Sequence, residues 1–360
     1  MQLTIETPKP FSLEQTVLLH GWVWLAPYGW DEARQTLLRL EELPSGRVVQ
    51  LAIRQSRASG LTVGIEPPVA LTSEDRQVIV QRLRRALSLD ADLTEFAAVA
   101  KRQHAGVWRL LQAGGGRLLR GCSLYEDLVK TLFTTNAAWA YTEKMVESFC
   151  RSFGRRGSSG EGWTFPQVGA VQRSLAGQSA AASLAGKHAA SPTARPWGGS
   201  SAALGVVVNT RDAASRRMQL SMTTTKVEVP SKSRASARQS KVPSGFGYRL
   251  KYLTALTERV ALDSIGPTLE HPNVVATRKA ELLGELPGFG SYAVNHMLVL
   301  LHHFDQLPVD REVLAYLGVA GKGAAAQQRR VELYRQRWGR WAFLGYKLER
   351  QAANRNWIGR

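Results

Sequence analysis

The chain has 360 residues, 44% of them hydrophobic, and a formal net charge of +18 at pH 7. This length allows two or three domains with ordinary apolar cores, and no stretch approaches the roughly 18 consecutive apolar residues that a membrane helix needs. The N-terminus lacks the basic start and apolar run of a secretion signal, so we expect a cytoplasmic protein. The positive charge favours a polyanionic partner, with nucleic acid the commoner candidate and a membrane surface the rival.

Cysteine is scarce, because Cys122 and Cys150 are the only two in the sequence. Two thiols cannot build a four-cysteine iron–sulfur cluster or a zinc ribbon. The sequence therefore predicts no cofactor and no metal held by side chains, in a reducing compartment.

Residues 1–72 are predicted to form an antiparallel sheet domain, because short apolar runs alternate with turn residues. The candidate strands are Thr16–Leu25, Thr36–Leu40, Arg47–Ile53 and Leu61–Ile65. Four aromatic residues that we expect in the core of this domain are Trp22, Trp24, Tyr28 and Trp30.

A helical subdomain is predicted over residues 73–154, where apolar positions recur at helical spacing. The predicted helices begin at Ser73 and cover Leu93–Ala100, Tyr125–Phe133 and Ala138–Phe153. Ser123 and Glu126 have the spacing of a capping box, which marks the start of the third of these helices.

Residues 155–244 differ from the rest in composition, with Ser, Ala, Gly and Thr dominating. Between Gln167 and Lys241, eleven Lys and Arg residues accompany two acidic ones, and this net charge of +9 (11 − 2) is half of the total. We expect a low-complexity, disordered insertion. It either attracts phosphates in a salt-sensitive way or has no function, and the sequence leaves both interpretations open.

Residues 245–360 contain a predicted helix–hairpin–helix. A helix over Lys279–Leu286 must stop at Pro287, and a second helix begins at Ser291, an N-cap type of residue. Gly288 and Gly290 flank Phe289 between them, and glycine permits both positive φ and close approach of another chain. The N–H groups of such a hairpin can donate to a phosphate oxygen. The carbonyls of Leu286 and Phe289 are candidates for binding Na⁺ or K⁺.

A carboxylate follows the hairpin, since Leu307-Pro308-Val309-Asp310 precedes another predicted helix. The positive end of that helix dipole favours the ionised form of Asp310. A purely structural interpretation is that Asp310 is an N-cap before Val313. Two further helices are predicted, over Ala324–Trp338 and Trp341–Gln351. Their aromatic residues, expected to pack on the core, are Trp338, Trp341, Phe343 and Tyr346.

Three stretches carry a resemblance to a known family: LPGFGSYAVNH, LPVDREV and SLYEDLVKTLFTTNAAWAYTEKMVESFCRSFG. They resemble the helix-hairpin-helix DNA glycosylase superfamily, in particular its 8-oxoguanine and 3-methyladenine glycosylase-like branch. The resemblance extends over about residues 120–155 and 245–350. It implies a mainly α fold with an N-terminal antiparallel β domain, and a monomer that acts on double-stranded DNA with a damaged base.

The resemblance also implies roles for individual residues. Asp310 is the expected catalytic carboxylate, which stabilises an oxocarbenium-like transition state. Asn136 is expected to face the base left opposite the extruded one, unless it only caps a helix. Tyr141 stands at the position where that branch is expected to carry a basic residue. Tyr248 is the expected wedge in the base stack, or packs on its own helix, and Arg249 the orphan-base contact. The expected DNA-backbone contacts are Pro287, Gly288, Phe289, Gly290 and Ser291.

Tyr292 occupies the place where bifunctional members carry a nucleophilic lysine. The resemblance therefore predicts a monofunctional glycosylase that uses water and leaves the abasic site unnicked. Asn295 and His296 are expected in the base pocket, although His296 can equally be a structural histidine. Asn136 with the Gly245–Arg249 segment points to oxidised purines, and Tyr292 to alkylated ones.

The sequence thus predicts a base-excision repair enzyme in the cytoplasm, associated with the nucleoid if bacterial. Two alternatives remain: a bifunctional glycosylase and lyase with an amine not yet identified, and a catalytically inactive DNA-binding protein that uses the hairpin as a clamp.

Overall fold

The computed structural model describes residues 2–56, 60–177, 245–262 and 265–354. These residues form an N-terminal five-stranded antiparallel sheet followed by a mainly helical body, which confirms the predicted fold class. No helix among them is long and apolar enough to span a membrane.

The sheet has the spatial order β1-β5-β4-β3-β2, with all neighbouring strands antiparallel. Its strands are β1 (Gln2–Ile5), β2 (Tyr28–Asp31), β3 (Thr36–Glu42), β4 (Val48–Ser56) and β5 (Gly60–Glu66). Buried and less buried residues alternate along β5, as expected for a sheet with one covered face. That face packs against a helix, α2 (Ser73–Ala86), through Ile79 and Leu83.

The predicted first strand, Thr16–Leu25, is wrong. The structure has helix α1 (Leu13–Leu19) and a 3-10 turn (Gly21–Trp24) there. The Ser12 side chain caps α1 by accepting from the Gln15 N–H at 3.2 Å. Leu13, Thr16 and Val17 are buried together at helical spacing, and this packing overrides the short apolar run that suggested a strand.

The predicted helices are confirmed, with ends that differ by a few residues from the predicted ones. The helices after α2 are α3 (Thr94–Gln103), α4 (Ala105–Gln112), α5 (Leu124–Thr134), α6 (Trp139–Phe153), α7 (described over 168–177), α8 (Arg249–Leu262), α9 (Ile265–Glu270), α10 (Ala276–Gly284), α11 (Ser291–Leu300), α12 (Arg311–Tyr316), α13 (Ala324–Trp338) and α14 (Ala342–Ala353).

The beginning of the predicted disordered insertion is folded, so its N-terminal boundary at residue 155 is wrong. Phe165 and Val171 are buried in the main helical core. The Phe149 ring lies 5.4 Å from the Phe165 ring and 6.5 Å from the Phe246 ring, between centroids. The same aromatic side chain therefore holds the chain both before and after the segment 178–244, which lies outside the described residues.

A buried ion cluster joins the sheet to α5. The two terminal guanidinium nitrogens of Arg39, Nη1 and Nη2, donate to the Glu126 carboxylate at 3.0 and 2.9 Å, and Lys130 Nζ lies 2.7 Å from the same carboxylate. Ser123 does accept from the Glu126 N–H, but the carboxylate bonds to Cys122 N and the cations instead of closing the predicted capping box. Burial alone would raise the pKa of Glu126, yet Arg39 and Lys130 lower it to about 2.

We expect Glu126→Gln to lower the free energy of unfolding by about 3 kcal/mol or more, because it leaves two buried cations without their shared carboxylate. Urea denaturation at pH 7 measures this change. Since the folded-state pKa is depressed, the stabilisation is present above the usual glutamate pKa. It should disappear as pH falls from about 4.3 towards about 2.

The matched control is Glu147→Gln, which removes an exposed pair with Arg151 in α6. Solvent screening should keep its effect below about 1 kcal/mol. Equal effects of the two substitutions would show that the buried cluster has no special role in stability.

Candidate active site

The hairpin between α10 and α11 has the predicted form, except that the N-cap of α11 is Gly290 and not Ser291. Gly288 has φ +82°, and a Cβ there would lie 2.8 Å from Leu132 Cδ1. Gly290 has φ −88° and open space where a Cβ would be, and it is itself the N-cap of α11, so Ser291 is the first helical residue. The buried Phe289 anchors the turn in the helical core. The N–H groups at the start of α11 lack partners within the helix.

A cleft of ≈ 1000 Å³ runs along this hairpin. Three other segments also form its walls: the loop after α5, the start of α8 and the residues before α12. Its predicted site residues are Asn136, Tyr248, Gly288, Phe289, Gly290, Ser291, Tyr292 and Asp310. The fold thus brings together residues that are up to 174 positions apart in sequence (310 − 136).

Asn136 follows the C-cap of α5, with an exposed side chain and φ +47°, a left-handed conformation that Asn tolerates well. Arg249 is placed differently from the expectation. It is buried, and its guanidinium donates to the carbonyls of Thr135 and Asn136, the latter at 3.0 Å. In this structure it therefore positions the Asn136 loop instead of projecting into the cleft.

Tyr248 is exposed, as a wedge residue must be, with 51% of its surface accessible. The loop before it is fixed, because Phe246 is buried and stacks on Phe133 at 5.4 Å between ring centroids. The hydroxyl of Tyr141 donates to the carbonyl of Gly245 at 2.8 Å. The tyrosine that replaces the expected basic residue thus supports this loop.

A narrower pocket of ≈ 250 Å³ opens from the cleft. Four residues line both spaces and form the mouth of the pocket: Thr134, Ala137, Tyr292 and Asp310. The residues that line the pocket but not the cleft are His20, Gly21, Trp22, Trp139, Thr142, His296, Pro308, Glu312, Val313, Phe343, Tyr346 and Lys347. Aromatic faces on several sides suit a flat ring that enters from the cleft.

Asp310 lies at the junction of the two spaces. Its Oδ1 accepts from the Val313 N–H at 2.8 Å, so the N-cap interpretation is correct. The cap uses one carboxylate oxygen and fixes the side chain, while the residue itself stays exposed at the mouth. Structural and chemical roles of Asp310 are therefore compatible.

Two imidazoles form part of the pocket wall. His20 Nε2 and His296 Nε2 are 3.0 Å apart, so one ring donates and the other accepts. Burial, with a contribution from Lys347, lowers the pKa of His296 to about 3, and burial and His296 lower the pKa of His20. Both rings are therefore neutral at physiological pH. Asn295 lines neither the pocket nor the cleft, because the helical rotation of about 100° per residue points it away from His296.

Tyr292, in the first turn of α11, lines both the cleft and the pocket. Burial and the neighbouring Asp310 raise the pKa of its phenol, so it stays neutral. The position expected for a lysine in bifunctional members thus carries a hydroxyl beside the carboxylate.

Sequence reasoning missed His20, Trp22 and Lys347 as pocket residues. The sequence places Trp22 in the core and gives no functional role to His20 or Lys347. Burial lowers the pKa of the Lys347 ammonium to about 8. The one sequence signal was the spacing of Phe343 and Lys347, four residues apart on α14 and hence on the same helix face.

No protein-family model matches this chain, and no curated protein matches it in sequence. Solved structures do match its fold. The 3-methyladenine DNA-glycosylase from Archaeoglobus fulgidus has a TM-score of 0.58 and 13% identity, over 98% of this chain and 99% of that one.

A second match is the apo form of the Clostridium acetobutylicum 8-oxoguanine glycosylase/lyase, with a TM-score of 0.55 and 12% identity over 96% of this chain and 97% of that one. The same protein bound to double-stranded DNA with cytosine opposite 8-oxoguanine has a TM-score of 0.55 and 13% identity, over 98% of this chain and 99% of that one. The chain therefore has the fold of the helix-hairpin-helix DNA glycosylases, as its sequence predicted.

The two hairpin glycines give a matched test of phosphate contact. We expect Gly290→Ala to leave thermal stability nearly unchanged, because a Cβ there would meet open space. It should weaken duplex DNA binding about tenfold, because the added methyl group would project into the cleft where the DNA backbone is predicted to approach. Fluorescence anisotropy with an undamaged duplex measures this affinity.

Gly288→Ala is the contrasting variant, since its methyl group would clash with Leu132 and Tyr252 and would require a left-handed alanine. It should lower the melting temperature. Unchanged DNA affinity of Gly290→Ala would show that no phosphate approaches this glycine.

Proposed function

We propose that this protein is a monofunctional DNA N-glycosylase of base-excision repair, which flips out a damaged purine and removes it by hydrolysis. The observation that carries the proposal is the position of Asp310, at the mouth where an elongated cleft meets a ring-sized aromatic pocket. The fold shared with DNA glycosylases supports it, and so does the net charge of +18.

In this proposal the cleft holds the DNA backbone and the pocket holds the extruded base. The amides at Gly290 and Ser291 donate to a phosphate. Tyr248 enters the base stack and fills the space that the extruded nucleotide leaves. Asn136 faces the base opposite that space. Flipping costs on the order of a few kcal/mol, which damage to the base reduces.

The chemical step breaks the bond between C1′ of the deoxyribose and the purine nitrogen. Positive charge develops on the sugar as the base leaves with the bonding electrons, and the carboxylate of Asp310 stabilises it. A water molecule then bonds to C1′ and loses a proton, and the base takes up a proton as it departs. The N-cap bond to Val313 holds Asp310 in place without using its second oxygen.

Water is the nucleophile because Tyr292 stands where an amine would be needed. A neutral phenol beside Asp310 can donate a hydrogen bond but cannot form a Schiff base. The product is an abasic site in an intact strand. The rival lyase activity has one candidate amine among the described residues that line the pocket, Lys347.

A strand-cleavage assay separates these possibilities. Duplexes with a single 8-oxoguanine, hypoxanthine, 3-methyladenine, 1-methyladenine or uracil are incubated with the protein and run on a denaturing gel. We expect breaks only after hot alkali, which reveals base release without strand cleavage. Breaks without alkali, together with a borohydride-trapped covalent complex, would instead establish lyase activity.

Asp310→Asn tests the carboxylate itself. Asparagine is as good an N-cap as aspartate, so the fold should be retained. We expect base release to fall by about 100-fold or more while lesion-DNA affinity stays within a few-fold, because only transition-state stabilisation is removed. Single-turnover kinetics and anisotropy measure the two quantities.

Asp305→Asn is the control, since this nearby acid lies outside the pocket and the cleft. Full activity of Asp310→Asn would contradict the assigned role. A parent protein that binds DNA but releases none of the lesions would favour the inactive clamp.

A further inference from the structure

We propose that Lys347 selects the lesion: its ammonium group donates a hydrogen bond to an uncharged damaged purine with a carbonyl or ring-nitrogen acceptor, and it disfavours purines with a fixed positive charge. This inference rests on the proposed function, and it names the substrate class of the same pocket.

The position of Lys347 is the first argument. It lines the pocket but not the cleft, and so lies beyond the mouth formed by Tyr292 and Asp310. Its Nζ lies 5.6 Å from the ring centroid of Phe343 and 5.7 Å from that of Tyr346. A sugar beside Asp310 would direct the base towards this inner region, where the ammonium can contact it.

The charge of the inner pocket is the second argument. Among the described residues, Lys347 is the one cation that lines it. The neighbouring His20 and His296 are neutral. Glu312 is the other charged residue that lines the pocket without lining the cleft, but its side chain is 64% exposed and pairs with Arg350 at 3.3 Å.

The titration of Lys347 follows from the groups that face it. Burial and Arg350 lower its pKa, whereas Asp310 and Glu312 raise it, and the result is about 8. The imidazoles of His20 and His296 are uncharged, and so are the phenols of Tyr292 and Tyr346, whose pKa values are raised. At pH 7 most molecules therefore carry the ammonium, and the positive charge is lost as pH rises through about 8.

The chemistry of the lesions is the third argument. Purines alkylated at N3 or N7 carry a fixed positive charge in DNA, whereas 8-oxoguanine and hypoxanthine are neutral and present carbonyl oxygens. An ammonium has three donors and no acceptor, so it complements the neutral bases. Like charges repel strongly where water is excluded. Aromatic walls such as Trp22 and Trp139 can stack on either kind of base and attract a cationic one through cation–π contact. The ammonium of Lys347 opposes that attraction, and the proposed selection requires its repulsion of a cationic base to be the larger effect.

The test compares base release from duplexes with 8-oxoguanine, hypoxanthine or 7-methylguanine by the parent protein, Lys347→Met and Lys347→Arg, after subtraction of release without protein. We expect the parent to prefer the better neutral lesion over 7-methylguanine by at least tenfold. Lys347→Met should release that neutral base at least tenfold more slowly than the parent does. Its preference for the neutral lesion over 7-methylguanine should also be smaller. Lys347→Arg should retain the preference, because it keeps the charge.

A pH series adds a readout that a merely structural role would not change. The preference of the parent should decline as pH rises through about 8, while that of Lys347→Arg stays constant over the same range. Affinities for the same duplexes, measured with Lys347→Met combined with Asp310→Asn, report recognition without chemistry. They also show whether the methionine variant is folded and binds DNA.

The outcomes separate this inference from the proposed function. Base release that needs Asp310 but favours 7-methylguanine, or a Lys347→Met variant that loses activity equally on all lesions, would overturn the inference alone. A covalent complex trapped by borohydride through Lys347 would also overturn it. No base release from any lesion would overturn both.

Discussion

The bidentate ion pair between Arg39 and Glu126 joins the N-terminal sheet to helix α5, and the position of the site depends on it. Glu126 lies in the first turn of α5, and the other end of that helix leads into the loop that carries Asn136. Lys130, which shares the carboxylate, lies 5.4 Å from the centroid of the Trp22 ring. The charges that fix α5 on the sheet therefore also fix one aromatic wall of the pocket.

The site combines rigid and accessible parts. Buried side chains hold each accessible one: Phe289 anchors the hairpin, Phe246 anchors the loop of Tyr248, and Arg249 bonds to the backbone beside Asn136. Such preorganisation would limit the entropy lost when the proposed DNA substrate binds. The same arrangement places the polar groups of the pocket at different depths, with the carboxylate at the mouth and the ammonium inside.

The sequence predicted the parts of the site that depend on local chemistry. The hairpin glycines and Asp310 belong to motifs whose spacing is short, and the resemblance of those motifs to the glycosylases singled out Tyr292; all of these residues line the cleft. His20, Trp22 and Lys347 come from segments far apart in the chain, so only tertiary packing could reveal that they share a pocket. Arg249 was misjudged for a related reason, because its carbonyl partners are more than 100 residues away.

Phe149 packs against both Phe165 and Phe246, so the core holds the chain shortly before residue 178 and again just after residue 245. The position of Tyr248 in the cleft is therefore set by aromatic contacts within the described residues, and the same core side chain fixes the chain on both sides of residues 178–244.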